Sequence, residues 1–136
     1  MLSRGGGRAR PADAGGLELF SWYFFRVSGL ALIFLAIFHV VIMHVVNTVD
    51  EINYAFVADR WSSPFWKVYD FLLLTLALLH GINGARLSID DYVRSGGWRV
   101  AAHTTLWMIA LIFMIIGGLA IVTFDPAAFE AAHAGR

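Results

Sequence analysis

No cysteine occurs in the 136 residues. That absence excludes a thiolate zinc site, a Cys-ligated iron–sulfur cluster and any disulfide within the chain. It also leaves the redox compartment unreadable. Charge is scarce as well. Asp, Glu, Lys and Arg together make up 15% of the chain, against roughly 25% in an ordinary soluble domain. The formal net charge is zero, so no basic surface speaks for nucleic acid as a partner. Nothing repeats at a solenoid or propeller period. What is abundant is apolar: hydrophobic residues reach 59%. The length suits one domain, and the balance of composition points to a membrane.

Three apolar stretches are long enough to cross a bilayer core of ~20 residues. They run over about 22–46, 65–87 and 102–124. Pro64 precedes the second, where proline is tolerated at a helix start. Asp125-Pro126 stops the third. The expected architecture is all-α: an integral membrane protein of three transmembrane helices within residues 17–126. Three helices enclose little room for a large cofactor, so partner chains are expected. Residues 1–16, rich in Gly, Arg and Ala, read as a flexible cytoplasmic tail. Residues 127–136 read as a short outer tail. The first apolar run is too long for a signal-peptide core, and no small-residue cleavage site follows it.

Basic residues in the flanks set the expected orientation. Arg4, Arg8 and Arg10 precede the first span, and Arg86, Arg94 and Arg99 lie between the second and third. The first loop, 47–64, carries Asp50, Glu51 and Asp59 against Arg60. The N-terminus and second loop are therefore placed on the cytoplasmic side, and the first loop and the C-terminus outside. Trp22, Trp61, Trp66 and Trp98 fall near the expected interfaces, as an aromatic belt would.

The stretch 66–92, WKVYDFLLLTLALLHGINGARLSIDDY, carries most of the candidate chemistry. A histidine in an apolar run is costly unless it is ligated or paired. His80 lies about six residues before Arg86, ~9 Å below the interface. One reading makes it an axial ligand of haem iron, with Gly81 and Gly84 letting a flat macrocycle approach the helix. The other makes it a hydrogen-bonding residue, with the same glycines allowing close helix packing. His39 lies 13 residues beyond Arg26, ~20 Å in. It cannot face His80 across one iron, so a haem on His80 needs its second ligand from another chain. His39 itself reads as a packing or hydrogen-bonding residue, or as the ligand of a second haem. His44 reads as solvated, and neither His103 nor His133 has a partner at metal-ligand spacing. Arg26, with Ser28 two residues on, either snorkels to lipid phosphates or pairs with haem propionates through a bidentate fork. Arg86 has the same two readings. Asp91 and Tyr92, preceded by Asp90, either form an ordinary polar boundary or dock a quinone through a carboxylate and a hydroxyl donor. Asp70 reads as reaching the outer interface or a neighbouring helix.

The motifs FFRVSGL, INYAFVADRW and YDFLLLTLALLHGINGARLSIDDY together resemble the small D-type membrane anchors of succinate dehydrogenase (complex II), in the form found in actinobacteria and related bacteria. The likeness covers about residues 18–126. It implies the bacterial inner membrane, a chain that is half of a two-subunit anchor bundle, and three partners: a second, C-type membrane anchor, an iron–sulfur subunit and a flavoprotein subunit. It implies haem b held by the histidine matching His80, with the other axial ligand in the partner anchor. Arg26 would lie by the propionates, with Ser28 and Gly84 in the haem environment. Asp91 and Tyr92 would sit at the quinone, menaquinone or ubiquinone. Members with two haems, members with none, and fumarate reductases all occur in the family. The rival readings are thus a diheme cytochrome b-type anchor that uses His39, and a haem-free tether. No dicarboxylate or flavin site is visible, so the chain is expected to be a subunit of an enzyme and not a catalyst alone.

Overall fold

The computed structural model describes residues 15–125 together with 127, 128 and 131. The remainder of the expected N-terminal tail, with Arg4, Arg8 and Arg10, lies outside the described residues, as do Pro126 and His133. Among the described residues there is no strand. Helix α1 spans Gly15–Val40 and runs into a π-helical turn, Val41–Val46. A 3₁₀ turn, Val49–Glu51, and the short helix α2, Tyr54–Ser62, follow. Helix α3 spans Pro64–Tyr92 and α4 spans Gly96–Thr123. Three helical stretches are long and apolar enough to cross a membrane: Leu19–Val46, Pro64–Tyr92 and Gly96–Thr123.

Local chemistry sets the boundaries. Asn47 closes the π turn: its backbone N–H (3.1 Å) and its side-chain Nδ2 (2.8 Å) both donate to the Ile42 carbonyl. The segment expected as loop 47–64 is structured by two caps. The Glu51 carboxylate accepts from the Thr48 backbone N–H at 2.8 Å, and Asn53 Oδ1 accepts from Phe56 N–H at 3.0 Å. Both satisfy N–H groups that a helix start leaves open. Pro64 stands in the first turn of α3. Lys67 Nζ donates at 2.8 Å to the Phe124 carbonyl, placing a positive charge at the C-terminus of α4.

Helix α3 extends to Tyr92, and α4 begins at Gly96. Both helices pass the limits expected from hydropathy, 87 and 102. Their polar end turns lie where water or headgroups satisfy side chains, so helix geometry persists after the apolar pattern stops. At 1.5 Å per residue, the 29 residues of α3 measure ~43 Å against a hydrocarbon core of ~30 Å. Asp90, Asp91 and Tyr92 are therefore in the last turn of a helix and not in a loop. Arg99, expected in the second loop, belongs to α4.

Helix α3 is the centre of the arrangement, flanked by α1 and α4, both antiparallel to it. On the α1 side, Gly29 meets His80, the Tyr69 hydroxyl donates to the Leu35 carbonyl at 2.6 Å, and Phe38 stacks on Trp66. On the α4 side, Leu74 fills the space beside Gly117, where a Cβ would stand 2.7 Å from its Cδ2. Glycine there allows the two backbones to approach. Only five hydrophobic side chains are buried among the described residues: Ala58, Tyr69, Ile82, Ala110 and Ile121. The helices thus form an open layer whose remaining apolar surface must be covered by lipid or by other chains. Any large prosthetic group has to sit on a face of this layer.

The most buried charge is Arg60 on α2, its side chain 6% exposed. Its Nε and Nη2 donate to Asp70 on α3 at 3.1 and 2.8 Å. Trp61 Nε1 donates to the same carboxylate at 2.8 Å, and the guanidinium lies 3.9 Å over the Trp66 ring. Asp70 reaches a neighbouring helix, the second of its two expected roles: it is the hub that fastens α2 across the end of α3. Trp61 and Trp66, expected as belt residues, line this hub. Breaking a buried pair leaves an uncompensated charge, so Asp70→Ala should destabilise the protein by about 3–5 kcal/mol. Replacing Arg60 and Asp70 together by Leu should cost less. An SDS unfolding titration in mixed micelles reads both.

Candidate functional site

His80 sits twelve residues before the end of α3, with its ring laid against α1. A Cβ built on Gly29 would stand 2.9 Å from His80 Cε1, 3.4 Å from Nδ1 and 3.9 Å from Nε2. Only glycine leaves room for the imidazole there. Gly29 lies in the FFRVSGL motif, yet sequence reasoning missed its role, because the contact joins residues 51 apart in the chain. Among the described residues nothing lies within 4 Å of a Cβ built at Gly81 or Gly84, so neither packs against another helix of this chain. Their side of α3 is open, as a flat ligand beside His80 would require.

The imidazole of His80 makes no hydrogen bond or ion pair among the described residues. It is also left exposed by its own chain. An unpartnered imidazole in an apolar span is unfavourable unless something supplied from outside satisfies it. This satisfies the requirement for an axial haem ligand: a free ring nitrogen, a fixed seat and an uncovered face. Arg26, one turn before Gly29 on α1, has its guanidinium 3.5 Å over the Trp22 ring and no carboxylate partner among the described residues. It lines a cleft of about 490 Å³ between α1 and α3 with Ser21, Asn83 and Arg86. Arg86 reaches Asn83 Oδ1 at 3.4 Å. Two uncompensated guanidiniums facing one cleft can hold an anionic group. Ser28, expected in the same environment, is buried, and its Oγ donates to the Phe25 carbonyl at 3.2 Å.

Helix geometry orders the residues beyond His80. At 100° per residue, Gly84 returns to within about 40° of His80 and Asp91 to within about 20°, whereas Tyr92 lies about 120° round. His80, Gly84, Leu87 and Asp91 form a stripe that is exposed throughout. Tyr92 is 84% exposed, and neither Asp91 nor Tyr92 bonds another described residue. They stand ~16–18 Å along the axis from His80. Asp90 is engaged: its Oδ1 lies 2.8 Å from His103 Nε2 on α4. That partner for His103 was not foreseen, since 13 residues and a helix reversal separate the two.

His39 is placed at the opposite end of α1, beside the Arg60–Asp70 hub. Its Nδ1 is shielded from solvent without a hydrogen bond, 4.0 Å from Asp70 Oδ1. A cleft of about 360 Å³ opens here, lined by His39, Met43, Arg60, Trp61 and Asp70 among others. His44, in the π turn, is exposed. The structure therefore separates the histidines into three groups: His80 against α1, His39 and His44 towards the far end, and His103 on Asp90.

The sequence also has known relatives. Residues 14–121 match the profile of the succinate dehydrogenase/fumarate reductase transmembrane subunits. The chain is 30% identical over 103 residues to the succinate dehydrogenase hydrophobic membrane anchor subunit of Archaeoglobus fulgidus, covering 76% of this chain and 86% of that one. It is 25% identical over 115 residues to the succinate dehydrogenase 2 membrane subunit SdhC of Mycobacterium tuberculosis, covering 85% and 82%.

Proposed function

Because the chain belongs to the family of succinate dehydrogenase and fumarate reductase transmembrane subunits, we propose that it holds haem b through His80 and forms part of a quinone-reduction site at Asp91 and Tyr92. Its coarse role is that of a multi-pass membrane anchor for a succinate dehydrogenase or fumarate reductase complex. The finer reading rests on one observation: His80 is seated on Gly29, lacks any partner among the described residues of its own chain and faces outwards. The Mycobacterium tuberculosis relative is described as a membrane subunit of succinate dehydrogenase, and the present chain takes the same place in its own complex. A second membrane anchor would cover the open face of α3 and supply the iron's other protein ligand. The flavoprotein and iron–sulfur subunits dock on the end of the layer where α3 terminates, which is the cytoplasmic side.

The chain's own residues have separate tasks. His80 offers one ring nitrogen to iron, and Gly29 fixes the ring plane. Gly84 keeps the adjoining surface flat. Arg26, with Arg86 across the cleft, compensates the propionate carboxylates through charge-assisted hydrogen bonds. Bound there, haem b supplies a one-electron redox centre whose potential is tuned by burial and by the groups around it. Tyr92 donates a hydrogen bond to a quinone carbonyl, and Asp91 orients that end of the site and accepts or releases a proton. Electrons from succinate arrive through the clusters of the iron–sulfur subunit.

A second reading adds a haem on His39. It is favoured by the unbonded Nδ1 4.0 Å from Asp70, since a carboxylate beside an imidazole orients a metal-ligating ring. Two haems per assembly, one lost on His39→Ala, would establish it; one haem unaffected by that substitution would remove it.

Two further outcomes test the main reading. In the purified complex, His80→Ala should abolish the b-type visible band, and Gly29→Val should shift or weaken it by displacing the ring. A band unchanged in His80→Ala would leave only a membrane tether. Tyr92→Phe should lower quinone turnover by on the order of 3- to 10-fold, the worth of one net hydrogen bond, with the band intact. Steady-state assay with a soluble quinone measures this.

A further inference from the structure

We propose that His103 and Asp90 form a proton-relay pair that loads the quinone site from the aqueous side, acting through Asp91 and Tyr92. The inference rests on the reading of that end of α3 as the quinone site. Its carrying observation is the contact of His103 Nε2 on α4 with Asp90 Oδ1 on α3, at 2.8 Å. It is the one ion pair joining these two helices among the described residues. Asp90 directly precedes Asp91 and Tyr92 in the last turn of α3. The His103 side chain is 24% exposed and that of Asp90 48%. The pair is thus open to water, and Asp90 shares the terminal turn with Asp91 and Tyr92 without a side-chain hydrogen bond to either.

The chemistry of quinone reduction needs such a group. Two electrons enter the ring and each carbonyl oxygen gains a proton, giving the quinol; no bond to the protein forms. The electrons come from the iron–sulfur subunit, and the protons must come from water. A tyrosine hydroxyl, with its ordinary pKa near 10, is a good donor but a poor reservoir near neutral pH. Imidazole is the side chain whose ordinary titration lies near neutrality. Protonated His103 can pass its Nε2 proton to Asp90 and recover one from water, while Asp90 gives its own through water at the end of the helix to Asp91 and Tyr92.

A purely structural role accounts poorly for the pair. Exposed ion pairs add little stability, and α3 and α4 are already held by Leu74 at Gly117 and by Lys67 on the Phe124 carbonyl. The surrounding charges are Arg86, four residues before Asp90, Asp91 beside it, Arg94 in the link, and Arg99, four residues before His103. From α1, Arg26 faces the adjoining cleft with Arg86.

The test uses the whole complex, assayed for succinate-driven quinone reduction from about pH 6 to pH 9, across the imidazole range, in H₂O and D₂O. His103→Gln keeps a donor for Asp90 but carries no exchangeable charge. It should turn over almost normally at the acid end, where protons are plentiful. It should fall on the order of 10-fold below wild type at the alkaline end, with a larger solvent isotope effect, as expected for losing a positioned proton donor. A pH profile and isotope effect matching wild type would overturn the proposal and make the pair a clamp. If His103→Gln does not assemble, Asp90→Asn decides by the same profile; failure of both to assemble also makes the pair a clamp. Tyr92→Phe in the same assay separates the two ideas. Normal turnover there removes the quinone-site reading itself, whereas impaired Tyr92→Phe beside an unaffected His103→Gln removes only the relay.

Discussion

Hydrocarbon offers no hydrogen bonds, so every polar side chain in a span must find its partner in the protein or in something the protein holds. That constraint sorts the polar groups of α3, the least apolar of the three spans. Asp70 is satisfied by Arg60 and Trp61, and the Tyr69 hydroxyl by the Leu35 carbonyl. Lys67 caps α4, and Asp90 meets His103. His80 stays without a partner among the described residues, on a face with almost no cover; the buried Thr75 hydroxyl, and Asp91 and Tyr92 at the exposed end, also lack one. The uneven satisfaction of one helix thus divides it into a fastened end, an unpartnered middle and a wet end.

The fastened end explains how so thin a layer keeps its shape. With only five hydrophobic side chains buried among the described residues, packing inside the chain cannot specify a unique arrangement on its own. The bidentate Arg60–Asp70 pair, backed by Trp61 and Trp66, ties the short α2 helix to α3. The Tyr69 bond to Leu35 ties α1 to the same place. Buried ion pairs are a poor source of net stability but hold a register well where few contacts compete. A fixed register between α1 and α3 is what brings Gly29 opposite His80, about two to three turns away from Tyr69–Leu35 along the same seam.

The same thinness bears on assembly. A chain that cannot enclose a macrocycle can still present one face to it, and the stripe His80, Gly84, Leu87 and Asp91 is such a face. The imidazole and the flat surface at Gly84 have nothing from the same chain above them among the described residues. The second membrane anchor in the proposed assembly then completes the site instead of merely enlarging it. The aqueous end is arranged differently. Its polar groups lie in a terminal turn beyond the hydrocarbon, where exposure is inexpensive and proton exchange with water is open.

The number of spans, their approximate places, the membrane as solvent and the candidacy of His80, Asp91 and Tyr92 were all legible in the residues. Each follows from local quantities or a local motif: run length, scarcity of charge, the cost of an imidazole among leucines, and the Asp-Tyr pair that follows it. The short helix in the first loop, the Asp70 hub, the seat that Gly29 makes for His80 and the pairing of His103 with Asp90 were not. The three contacts join residues that are distant in the chain or lie across a helix reversal, and hydropathy carries no information about which face of one helix meets which face of the next. Composition and pattern thus determined the solvent and the elements. Only the antiparallel register of α1 and α4 against α3 decided which polar groups are satisfied and that the imidazole of the second span is left without a partner among the described residues, because that register sets every side-chain contact between helices.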